Sequence, residues 1–70
     1  MTRKEYNFKQ LVGRMRSAGQ HNWGHNDMQE ICEMAGMYDE WLESTSRFEN
    51  EKLALRAAVI LGVEIRHYVA

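Results

Sequence analysis

The chain has 70 residues, enough for one hydrophobic core and too few for two, so every expectation refers to a single helical domain spanning 1–70. It is 44% hydrophobic and 27% charged with no proline, which excludes a disordered tail, and its formal net charge of −1 excludes a general attraction to nucleic acid or anionic lipid. The lone Cys32 excludes an internal disulfide.

Taken in chain order, Thr2 followed three residues later by Glu5 is a capping box, in which a side-chain oxygen and a carboxylate satisfy orphan amides at a helix start. Phe8, Leu11, Val12 and Met15 then recur at i, i+3, i+4 and i+7, so the spacing predicts a helix over about 3–18, ended by Gly19. The polar, glycine-bounded stretch 19–25 reads as a loop, with Trp23 the one residue expected to fold back onto the core.

A second capping pattern, Asn26 with Gln29, opens a helix expected over about 27–44. Met28, Ile31, Ala35, Tyr38 and Leu42 share its apolar face, Met34 and Trp41 flank that face, and Glu33, Glu40 and Glu43 form a solvated acidic ridge opposite. Gly36 is read as a tolerated helix interior glycine.

Ser46 with Glu49 caps a third helix expected over about 47–68. Here the apolar residues cover two faces: Phe48, Leu55, Val59 and Ile65 on one, Leu53, Ala57, Ile60 and Leu61 on the other. Such a helix must be covered on more than one side. Either the other two helices sandwich it or a second copy covers it in a homodimer. A terminal strand through Val63, Ile65, His67 and Val69 is the rival reading, but no other segment offers a strand to pair with it. The architecture expected is therefore an all-α, three-helix bundle.

Charge is unevenly spread. Residues 1–20 carry five cations against one acid, whereas residues 21–51 carry eight acids against Arg47. Lys9, Arg14 and Arg16 on the first helix, with Tyr6 exposed beside them, form a candidate phosphate-gripping patch. Pairing of those cations with the acidic second helix within the fold is the preferred account, since the whole-chain balance is acidic. The segment 29–37 is similar to the first helix and turn of a helix-turn-helix, with Gly36 at the turn and 38–44 as the reading helix. Asp39, Glu40 and Glu43 would then face phosphates, which opposes binding.

No residue set carries catalysis. Cys32 lies between Glu30 and Glu33, which disfavours a thiolate nucleophile, and no phosphate loop or paired cysteine motif is present. His21, His25 and Cys32 have zinc-ligand chemistry, but Gly24 breaks the helical spacing two histidines would need, and a polar loop beside a buried cysteine is the simpler reading. No metal or cofactor is expected. The single cysteine and the want of a cleavable apolar leader point to the cytoplasm, and the longest apolar run, 57–63, is too short to cross a bilayer.

What remains is a binding protein. The surface singled out is Glu33, Met37, Glu40, Trp41 and Glu43, with Met37 and Trp41 as apolar anchors in an acidic rim that would suit another protein with a basic surface. The function expected is that of an inhibitor, adaptor or small regulatory subunit, of the kind phages and mobile elements encode as accessory factors. A transcriptional regulator binding nucleic acid through Lys9, Arg14 and Arg16, or through a degenerate helix-turn-helix, is the alternative.

Overall fold

A computed structural model describes residues 2–65 and is all-helical over them. The elements are α1 (Arg3–Ala18), a single 3₁₀ turn (Gln20–Asn22), α2 (His25–Met34), α3 (Tyr38–Glu43) and α4 (Arg47–Leu61). Two of the three expected caps form: the Glu5 amide donates to the Thr2 hydroxyl at 3.1 Å and the Glu49 amide to the Ser46 hydroxyl at 3.2 Å. Glu49 does not reach back to Ser46. Its carboxylate accepts instead from the Thr45 amide at 2.9 Å, one residue earlier.

The Asn26 cap does not form. α2 begins two residues sooner than that pattern requires, with Gly24 as its N-cap, and Gln29 donates its side-chain amide to Glu33 at 3.3 Å.

The helix expected over 27–44 is two helices. Gly36 adopts φ +74°, a left-handed conformation open to glycine at no steric cost. Around it the Met37 amide donates to the Cys32 carbonyl at 2.8 Å and the Gly36 amide to that of Glu33 at 3.0 Å. Those two bonds are a Schellman motif, which satisfies the carbonyls stranded at the end of α2. The buried Met37 side chain follows immediately, the apolar contact that usually accompanies such an end. Because α3 starts afresh, the i+7 register connecting Ala35 to Leu42 is lost, and Leu42 and Tyr38 point outward instead of sharing the buried face.

The helix expected over 47–68 ends at Leu61 by the same device. Gly62 lies at φ +74°, and the Val63 amide donates to the Ala58 carbonyl at 2.9 Å. Residues 63–65 are neither helix nor strand, and Ile65, expected on a helix face, is fully buried from this non-helical tail. Residues 66–68 of the expected helix, and 66–69 of its rival strand, lie outside the described residues.

The buried side chains form one cluster: Leu11, Val12 and Met15 from α1, Trp23, then Met28, Ile31 and Cys32 from α2, with Met37, Trp41 and Ile65. Trp23 folds back as expected, its indole donating to the Met15 carbonyl at 2.8 Å. The buried α4 side chains of this cluster are alanines, Ala54, Ala57 and Ala58, with Leu53, Leu55 and Leu61 half-buried against it, and α4 meets α2 more extensively than any other pair of elements meets. Small side chains let two helix backbones approach closely. The consequence is that α4 is not covered on both sides: Phe48, Val59 and Ile60 are exposed.

A candidate protein-binding face on α3

α3 is only six residues long and takes its position from what lies beneath it. Met37, its N-cap, is 6% exposed, and Trp41 is 7% exposed with its ring set edge-on to His25, centroids 5.0 Å apart. The Trp41 amide donates to the Met37 carbonyl at 3.0 Å. Met37 and Trp41 are therefore core anchors that fasten α3, not contacts offered to a partner. The reason is the break at Gly36, which rotates residues 37–43 relative to the face they would occupy on a continuous helix.

The three carboxylates of the expected surface behave otherwise. Glu33, Glu40 and Glu43 are all exposed, and Asp39 joins them. The apolar element that sequence reasoning placed inside is Leu42, 63% exposed between Trp41 and Glu43. Beside it, a groove of about 280 Å³ separates α3 from α4, lined by Glu40, Glu43, Ser44, Glu49, Lys52 and Leu53. Three carboxylates against one ammonium make this groove electronegative, which favours a cationic occupant. Near the base of α3, burial, followed by the negative charge of Glu40, pushes the Cys32 thiol up to about 11. A thiol so protonated is a poor nucleophile.

The alternative basic triad is divided. Arg14 donates to Asp27 at 3.1 and 3.4 Å and lies 3.9 Å from Glu30, and the hydrogen bond to Asp27 raises its pKa above the ordinary value. Arg16 donates to the Glu64 carbonyl, pinning the tail to α1. Lys9 shares with Arg16 a groove floored by Phe8, Val12 and Val63. Lys9 and Arg16 thus occupy one side of α1 and Arg14 the other, engaged with α2. The α2–turn–α3 geometry does place a turn at Gly36 as a helix-turn-helix would, but the second helix turns Asp39, Glu40 and Glu43 to solvent, the wrong sign for phosphate.

The three candidate metal ligands are likewise separated in role. His21 lies 3.2 Å from Glu51, His25 packs on Trp41, and Cys32 is fully buried. Among the described residues no group of three His, Cys, Asp or Glu side chains could hold a metal ion, and no helix is long and apolar enough to cross a membrane. No protein-family model matches the chain, and searches of curated proteins and of solved structures return no significant match.

Proposed function

We propose that the chain is a non-enzymatic protein-binding module, an inhibitor, adaptor or regulatory subunit, whose α3 ledge receives a basic segment of another protein. The observation that carries this reading is the division within α3. Met37 and Trp41 are sunk in the core while Asp39, Glu40, Leu42 and Glu43 stand out together. A short helix fastened from below holds an apolar tip and its carboxylate rim at fixed spacing, so a partner need not order them on binding. The groove toward α4 extends the acidic surface and offers Leu53 as a second apolar contact. Such a surface speeds encounter with cationic partners and discriminates against acidic ones.

The test is capture from native cell extract on the immobilised chain, wild type beside the double reversal Glu40→Lys, Glu43→Lys. Both positions are exposed, so the fold should survive, as circular dichroism can verify. The expected result is that polypeptides retained by the wild type are lost from the variant, and that Leu42→Asp has the same effect. Identical retention by all three proteins would overturn the reading.

A further inference from the structure

We infer that the outward face of α4 is the seam of an antiparallel homodimer. α4 buries its alanines, keeps Leu53, Leu55 and Leu61 half-buried against the core, and leaves three large apolar side chains outside, with Phe48 65% and Val59 78% exposed and Ile60 beside them. The exposed Phe48, Val59 and Ile60 leave hydrophobic area in water that a second surface would remove. Phe48, Lys52 and Val59 are exposed, and with the half-buried Leu55 at the edge of the core they follow the spacing four, three, four, the a/d stripe of a heptad pattern. Lys52 does not break the stripe, because its ammonium lies 4.5 Å over the Phe48 ring and its stem can cover apolar surface while the charge stays wet.

Charge selects the occupant and its direction. Glu49 and Arg56 are both exposed and lie seven residues apart, two turns, on the same flank of the stripe. In a parallel pair that flank would meet the second copy's opposite flank, where Glu51 and Ala58 are buried in its own fold, and neither charge would find a partner. In an antiparallel pair, with Phe48 opposite the second copy's Val59, Glu49 comes within reach of the second copy's Arg56, and the two-fold axis repeats the pair. A surface bearing opposite charges at its two ends about an apolar centre is complementary to itself.

Shape agrees with that register. A hollow of about 270 Å³ lies at the Val59 end of the stripe, lined by Leu55, Ala58, Val59 and Val63 together with Glu64 and Ile65. Phe48 of the second copy arrives at this hollow, as a knob enters a hole. The seam is only two heptads long, so the dimer is weak, with a dissociation constant of roughly 10–100 μM. The seam shares Glu49 and Lys52 with the α3–α4 groove but none of the α3 carboxylates, so Glu40→Lys, Glu43→Lys tests the α3 surface and Val59→Lys tests the seam separately.

Sedimentation equilibrium of the whole chain tests it. The wild type is expected to dimerise in that concentration range. Val59→Lys, at an exposed position that the fold does not need, and Arg56→Glu should each weaken association about tenfold or more. Glu49→Arg should do likewise, with circular dichroism checking that loss of its bond to Thr45 leaves the helix intact. An equimolar mixture of Arg56→Glu and Glu49→Arg should recover association, because each reversed side chain then meets an opposite charge. A wild type that stays monomeric at about 1 mM, a dimer indifferent to Val59→Lys, or a mixture no tighter than its components would overturn the proposal.

Discussion

Arg47 and Glu51, one turn apart on α4, form an ion pair of 3.3 Å that fastens the loop after α1 to the start of α4. Glu51 is the one buried charged side chain among the described residues. It also meets the His21 imidazole at 3.2 Å and the Gln20 amide at 3.4 Å, while Arg47 donates onward to the carbonyls of His21 and Trp23 at 3.0 and 2.8 Å. A carboxylate withdrawn from water is tolerated only while such partners compensate it.

Arg47→Ala should therefore destabilise the fold by about 1–2 kcal/mol, less than removing one partner of a fully buried pair costs, because the arginine is half exposed. The double variant Arg47→Ala, Glu51→Met removes the stranded charge as well and should regain part of that loss. Urea unfolding of the three proteins reads both effects, and a double variant less stable than Arg47→Ala would contradict the account.

At the α2–α3 turn, a Cβ on Gly36 would meet nothing within 4 Å, so the cost of Gly36→Ala is conformational alone. At φ +74° it should amount to about 1–2 kcal/mol, with Gly36→Asn losing less because asparagine tolerates that region better. Equal stability of all three proteins in thermal melts would mean that the backbone does not turn there.

Burial of Trp41 has a spectroscopic signature. In Trp23→Phe, which leaves Trp41 as the only indole, emission should be blue-shifted and acrylamide should quench it slowly. Trp41→Ala should cost about 3–5 kcal/mol, enough to unfold much of a domain this small. Emission and quenching typical of an indole in water would return Trp41 to the surface.

Cys32 imposes a pH dependence whose sign follows from its raised pKa. Between its ordinary value of 9.0 and about 11, the unfolded chain has lost the thiol proton and the folded chain keeps it. Stability from this group is present in full below pH 9.0 and is lost as pH climbs toward about 11. Urea midpoints should fall over that window in the wild type and fall less in Cys32→Ala, compared at matched starting stability. A thiol reagent at pH 8 should label the native protein far more slowly than the unfolded one.

The helical class, the start of α1 at the Thr2 cap, the start of α4 after Ser46 and the inward fold of Trp23 were all legible in the residues, because each depends on neighbours within a turn or on one aromatic in a polar loop. Part of the candidate face was legible too: the carboxylates of Glu33, Glu40 and Glu43 stand in solvent as their pattern predicted. Its anchors were not. A glycine at position 36 is compatible with a helix interior at a cost of about 1 kcal/mol and with a helix end at none, so pattern alone leaves both open.

By itself, then, the order of residues determined that this protein is helical, where two of its helices begin, and that its charge is divided between a basic first helix and an acidic middle. Tertiary packing decided which apolar residues are inside. Periodicity says which side chains share a face, but the choice between two apolar faces depends on what the neighbouring elements can accommodate. On α4 the contact with α2 buries the alanines and leaves Leu53, Leu55 and Leu61 half-covered, so Phe48 and Val59 remain outside. On α3 the turn at Gly36 brings Met37 and Trp41 under the helix and sends Leu42 into water, a rotation that no spacing within residues 38–43 encodes.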